Sequence, residues 1–399
     1  MTTRWLTPIA CAGLLLAQSA SVDRAWDLLA KGNRPEAVRV LQQTITANPR
    51  DGEARLLLGS IFAEEGNGSE AIRQLREAVR LMPRSPAAHN ALGEALSHAG
   101  DMNAARSAFE KALAVDPEFA QAHVNLGSAL VESGDSGAAA RHLDRAIRIL
   151  GKSADAAYPY YLRAKIYTEN DKPGKAMDAL QTSVSLQPDF AEAWSDLGQA
   201  RKTMLDDEGA IAAFKRSVEL SPDNAVSQYR LGAEYLRQGN AHDAVLHLRE
   251  SFQLNPTNQS TLYSLQLALR QDGQVDEAAQ VKKKLTEVLR EIDRESQNAF
   301  AALKLNNEGA ALEKAGNLRG AVERYRQARA LDPTHVGIHV NFGVALLRLG
   351  QWREGLAELR EALRLDPANA KIQAALDDAL KQAPAEFGGK GEQPNPASR

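Results

Sequence analysis

The sequence predicts an all-α protein: an α-solenoid, or superhelix, of about ten stacked helix-turn-helix units closed by a C-terminal capping helix. Three observations predict it. Prolines 49, 83 and 117 are spaced by 34 residues, as are 188, 222 and 256, and again 333 and 367. Turn-forming glycines fall between them at 66, 100, 239, 316 and 350. Residues 122–135, AHVNLGSALVESGD, are echoed 216 residues later at 338–351, IHVNFGVALLRLGQ. A fixed period of this length marks a repeat array, in which no unit buries its apolar face alone and neighbours must stack.

Taken from the N-terminus, residues 1–20 read as a secretory signal peptide. Arg4 gives a once-positive start, Trp5 to Ala17 carry no charge, and small residues follow, so cleavage is expected after Ser19 or Ala20. About a dozen apolar residues are too few to span a membrane. The expectation is an exported, periplasmic or secreted protein, with a cytoplasmic one as the lesser alternative. Cys11 is the sole cysteine, so the cleaved chain would have no thiol chemistry.

The unit itself is read from the quoted phrase. Leu126, Gly127 and Leu130 share one helical face, Gly134-Asp135 break the helix, and Ala139, Leu143 and Ala146 build a second. Proline disfavours helix in its predecessor and stops that second helix. The same frame recurs as Leu58, Gly59, Phe62, Ala71, Leu75, Ala78 and Pro83, and as Leu92, Gly93, Leu96, Ala105, Phe109, Ala112 and Pro117. It recurs again in the units beginning at Ala191, Ala225, Ala302 and Val336, the last with Gly355 where the others have alanine. These residues, at positions 7, 8, 11, 20, 24, 27 and 32 of a 34-residue unit, make the chain resemble the tetratricopeptide repeat family. The resemblance implies that the small residue at position 8 faces Ala at position 20 so the two helices approach closely. A larger side chain there would overpack, at about 1–3 kcal/mol.

Residues 21–292 then form about eight units, the first and last degenerate. A helical joint follows at 293–301, within one elongated charged helix from Asp276 to about Asn298. Two further units occupy 302–369, a capping helix 370–383, and a disordered tail 384–399, rich in Pro and Gly. Gly151 stands where a proline is expected, and three residues are inserted before Ala157.

Catalytic chemistry finds no support in the residues. There is no CxxC or HExxH, and no nucleophile–base set stands out. His89, His123 and His339 all fall at position 4, where packing is the expected role. Gly66–Ala71 matches GxGxxA and Gly151-Lys152-Ser153 ends like a phosphate loop, but neither follows a strand. A net charge of −3 and pI near 6.3 give no reason to expect nucleic acid, and Lys282–Lys284 read as a solvated helix face. No cofactor and no metal are expected.

The resemblance implies a concave groove lined by the first helices, with a protein or peptide partner in it. Positions 5 and 6 there are free of stacking duty. Asn125, Asn307 and Asn341 occupy position 6 and could hold a peptide backbone. Seven of the eight tyrosines lie between 158 and 263, and tyrosine gives contact area at low entropy cost. Tyr158, Tyr161, Tyr229, Arg230 and Tyr263 are therefore the expected centre of the site. The basic clamp by which some relatives grip chaperone tails is absent, since Asn90, Glu94, Tyr158 and Leu162 stand at its positions. The reading is a non-catalytic scaffold or adaptor, working in envelope assembly or secretion. Its alternatives are a peptide-binding regulatory subunit of a separate enzyme and a glycan-binding module.

Overall fold

The computed structural model describes residues 20–367 and 369–384. Residues 1–19, with most of the expected signal and Cys11, lie outside the described residues, as does nearly all of the expected tail. The described residues contain twenty α-helices, one 3-10 turn and no strand. The chain divides into two compact units, one through Leu220 and one from Ser221. The first holds α1 (Ala20–Ala30), α2 (Arg34–Ala47), α3 (Gly52–Glu64), α4 (Gly68–Leu81), α5 (Pro86–His98), α6 (Met102–Val115), α7 (Ala120–Glu132), α8 (Ser136–Leu150), α9 (Ala157–Glu169), α10 (Pro173–Leu186), α11 (Ala191–Thr203) and α12 (Asp207–Leu220). The second holds α13 (Ala225–Arg237), α14 (Ala241–Leu254), α15 (Gln259–Gln271), α16 (Val275–Lys314), α17 (Leu318–Leu331), α18 (Val336–Arg348), α19 (Trp352–Leu365) and α20 (Ala370–Gln382). Within each unit consecutive helices pack as pairs, and each pair packs on the next: an all-α solenoid.

The turn inside each pair is set by one residue in the left-handed region. Glycine fills it at 32, 66, 100, 134, 239, 273, 316 and 350. In four of these eight turns the next residue then caps the following helix: Asp101 and Asp135, Asn240 and Asn317 accept from backbone N–H groups of the first turn. Two repeats lack the glycine, and Asp171 (φ 53°) and Leu205 (φ 62°) are forced into the same conformation. Leu205 is 87% exposed, so its side chain gains no packing in return. Leu205→Gly is therefore expected to raise stability by about 1 kcal/mol, read as a higher urea midpoint.

The close approach at position 8 is present, with a different partner from the one the resemblance implied. A Cβ on Gly59, Gly127 or Gly232 would lie 2.6–2.7 Å from the leucine at position 24, and one on Gly93 or Gly198 within 2.5 Å of a phenylalanine ring. The alanine at position 20 contributes its carbonyl oxygen, 3.3 Å away at Ala71. The bulky residue, not the alanine, fills the space that glycine leaves. At position 27 serine replaces alanine in three repeats. Ser183, Ser217 and Ser251 are buried, and each donates to the first carbonyl of its own pair, at Ala157, Ala191 and Ala225, over 2.8–2.9 Å.

Position 4 is a polar staple. The side chains of Arg55, His89, His123, Trp194, Gln228 and His339 each donate to the carbonyl of the proline six residues earlier, at 2.8–3.1 Å. In four repeats the same side chain also meets position 23: Arg55 with Gln74, His123 with His142, Gln228 with His247 and His339 with Glu358. Position 4 thus satisfies a carbonyl that proline leaves at the repeat boundary.

The elongated helix expected from Asp276 to Asn298 runs on to Lys314. α16 is 40 residues long and serves as the second helix of one pair and the first of the next. Residues 293–301, read as a joint, lie within it. Between Gly273 and Gly316 no residue has positive φ and no proline intervenes, so nothing interrupts the helix. α20 closes the stack, burying Ile372, Leu376 and Ala379, the latter two in one cluster with Leu356 and Leu359 of α19. Among the described residues no helix is long and apolar enough to cross a membrane.

Candidate functional site

First helices of successive pairs touch one another: α1 on α3, α3 on α5, α5 on α7 and α7 on α9, and in the second unit α13 on α15 and α16 on α18. They share one face of each unit, and the candidate residues lie on them. In the first unit that face carries a connected strip. Asn125 of α7 donates to Asn90 Oδ1 (3.0 Å) and Glu94 Oε1 (2.7 Å) of α5, and its own oxygen accepts from Gln121. Asn90 donates to the same Glu94 oxygen. Burial pushes the Glu94 carboxyl up, and the amide hydrogen bonds from Asn125 and Asn90 pull it back.

The strip continues through aromatic side chains. Ser128 of α7 lies 3.4 Å from the Tyr158 hydroxyl of α9. Tyr158 stacks on Tyr161 at 6.1 Å between ring centres, and Tyr161 packs on Phe190 at 4.9 Å. The Tyr161 hydroxyl is raised above the ordinary phenol range, first by burial and then by Asp196 of α11, whose carboxylate accepts its hydrogen bond. Lys165 Nζ stands 5.7 Å from the Tyr161 ring centre, within reach of a cation–π contact. Tyr158 and Tyr161 are half-buried in the hydrophobic core between α7, α9 and α11. They are structural as well as presented.

In the second unit the candidates are dispersed. Tyr229 and Arg230 are half-buried on α13, and Tyr263 on α15 is 63% exposed. Asn341 of α18 donates to Asn306 Oδ1 of α16 at 3.0 Å, repeating the Asn125–Asn90 bond one pair to the next. Asn307 is exposed beside it. No ring contact brings Tyr229 and Tyr263 together among the described residues.

Tetratricopeptide repeat profiles match residues 22–86, 62–106 and 90–160, then 157–190 and 191–224, and finally 312–379. Together these cover more than half of the chain. The chain belongs to the tetratricopeptide repeat family. None of the curated proteins matches it. Among solved structures, the Pseudomonas aeruginosa PilF structure is similar over 54% of this chain and 97% of its own, at 20% identity and a TM-score of 0.50. MamA is similar over 41% of this chain and 95% of its own, at 24% identity and a TM-score of 0.37. YrrB, described as a tetratricopeptide protein with an unusual peptide-binding site, is similar over 48% and 96%, at 20% identity and 0.39. At these identities the likeness shows the fold alone.

A tetratricopeptide array is a protein–protein interaction scaffold, and among the described residues no group of three or more metal-ligating side chains forms. Five of the eight histidines, at 89, 123, 142, 247 and 339, serve the staple. His123 donates from Nε2 to Pro117, so its Nδ1 accepts from His142 Nδ1 at 2.9 Å. Burial lowers the His142 pKa, and the neighbouring His123 lowers it further. A base lowered in the folded state leaves the unfolded chain holding more protons, so stability is full above the ordinary histidine pKa and falls as pH drops through it. The thermal midpoint should fall between pH 7.5 and pH 5.5, and His142→Leu should flatten that dependence. The position 4 donors were visible in the sequence as a column of N–H side chains six residues after proline. What they share is an N–H donor, supplied by arginine, histidine, tryptophan or glutamine alike.

Proposed function

We propose that the first-helix face of the N-terminal unit recognises a protein partner, with Glu94, Asn125, Tyr158, Tyr161 and Asp196 as its centre. The observation that carries this is the strip itself. Side chains from four consecutive first helices are joined by hydrogen bonds and ring contacts into one surface. Two carboxylates flank two tyrosines, which suits an extended segment or helix bearing a basic or amide side chain beside an apolar one. Tyr229, Arg230, Tyr263, Asn307 and Asn341 are the corresponding contacts of the second unit. The protein works by presenting these faces, without catalysis, in envelope assembly or secretion. That setting rests on the charge-free run from Trp5 to Ala17 after Arg4, and N-terminal sequencing of exported protein tests it.

The recognition test uses variants that spare the packing. Tyr161→Phe keeps the ring on Phe190 and removes only the hydroxyl, and Glu94→Gln keeps the shape. Affinity capture from the native envelope fraction, followed by mass spectrometry, should lose the same proteins with both variants. Retention of every captured protein by both variants, with helicity intact, would sink the proposal.

A further inference from the structure

α16 carries an uncovered apolar stripe. Leu289 is 46% exposed, Ile292 41%, Phe300 75% and Leu303 42%. Elsewhere a second helix ends in a turn, and the next first helix folds back to cover the seam. Here the two helices are one, so the seam stays open on both sides of its midpoint. Between Leu289 and Leu303 the face of α16 turned to its own chain is separate, and buries Ala302, with Val288 just before it.

The order of the stripe is symmetric. Residues 289, 292, 296, 300 and 303 are separated by 3, 4, 4 and 3, which reads the same from either end. At about 3.6 residues per turn, all five lie within roughly 40° of one line. Such a stripe is complementary to itself about a two-fold axis at Ser296, as an isologous interface requires. Leu289 then faces Leu303 of a second copy, Ile292 faces its Phe300, and the small Ser296 meets its twin where the helices approach most closely.

Charge is compatible with the same pairing. Asp293 and Lys304 are exposed on one flank of the stripe. In the antiparallel arrangement that flank of both copies lies on one side of the interface, with Lys304 of the second copy five residues, about 7.5 Å, along the axis from Asp293. Side chains lean towards the N-terminus of their own helix, so these two lean towards each other. A parallel pair would put that flank of the two copies on opposite sides of the interface.

The geometry points to a homodimer in which two copies of α16 pair antiparallel, centred on Ser296. The stripe from Leu289 to Leu303 is about 21 Å long, which places the interface at the small end of specific contacts and its dissociation constant in the micromolar range. Sedimentation equilibrium of the purified protein from 1 to 200 µM should show monomer passing to dimer, and Phe300→Glu should weaken the association at least tenfold with helicity unchanged. Orientation is read by disulfide trapping in a Cys11→Ser background: Leu289→Cys mixed with Leu303→Cys should cross-link, and Leu289→Cys alone should not. Monomer at every concentration, or self-cross-linking of Leu289→Cys ahead of the mixed pair, overturns the proposal.

Discussion

Gly93→Leu is expected to lower stability by about 3 kcal/mol, more than any exposed substitution in the chain. A Cβ at Gly93 would lie 2.4 Å from Phe109 Cε1 and 2.6 Å from Cδ1. That ring is 2% exposed and sits in the core with Leu96, Leu126 and Leu130, so it has nowhere to rotate. Leucine adds three further heavy atoms to the same space. Gly68→Ala is the control, because nothing lies within 4 Å of its Cβ position. It should be neutral or slightly stabilising, since alanine is the better helix former by about 1 kcal/mol. The sharper companion is Gly355→Ala. Every other well-formed repeat has alanine at this position, yet here the Cβ would meet Gly343 O at 2.9 Å and Leu347 Cγ at 2.7 Å. Restoring the family residue should therefore destabilise, by about 1–2 kcal/mol. Urea unfolding followed by circular dichroism reads all three, and a neutral Gly93→Leu would show that the helix pair can open without cost.

The repeat frame was legible because its chemistry is local. A positive φ needs glycine, a close crossing needs glycine or alanine, and a stop needs proline. Where another residue does the same work the signal vanishes: Asp171 and Leu205 hold the left-handed turn with nothing in their type to announce it. The sequence predicts a charged helix from Asp276 to about Asn298 with the repeat register resuming at Ala302, but register alone does not end a helix, and α16 runs on to Lys314. The site was legible in part. Tyr158 and Tyr161 do lie together, but their burial against Phe190 depends on the next pair, which their own positions do not reveal. The Asn125 and Asn341 echo has a cause outside both residues. Each donates to an asparagine at position 5 of the preceding pair, Asn90 or Asn306, so the copied phrase records a bond between repeats. In the sequence Glu94 marks only the absence of the basic clamp, because the role of a helix carboxylate shows only once its amide partners are placed around it.

Glu358→Ala is expected to cost about 3–5 kcal/mol, the range for removing one member of a buried ionic group. Glu358 is 7% exposed and His339 4%. His339 Nε2 donates to Pro333 O at 2.9 Å, and Nδ1 lies 2.6 Å from Glu358 Oε2, while Arg329 holds the other carboxylate oxygen. Both ring nitrogens thus face acceptor atoms, and the Nδ1 contact needs a proton carried by the imidazole or by the carboxyl. Alanine leaves that nitrogen buried without a partner and cuts Arg329 loose. Glu358→Gln should cost only about 1 kcal/mol, since an amide N–H can donate to a neutral Nδ1 and the amide oxygen can still accept from Arg329. The protein supplies its own rescue. Gln228 and His247 occupy the same two positions, with Gln228 Nε2 on Pro222 O and His247 Nδ1 on Gln228 Oε1. The double variant His339→Gln/Glu358→His transplants that pair and should recover most of what Glu358→Ala loses. A double-mutant cycle by urea denaturation measures this coupling. If the transplanted pair is no more stable than Glu358→Ala, the staple is not transferable between repeats, and the stability at this position comes from the Arg329 ion pair instead.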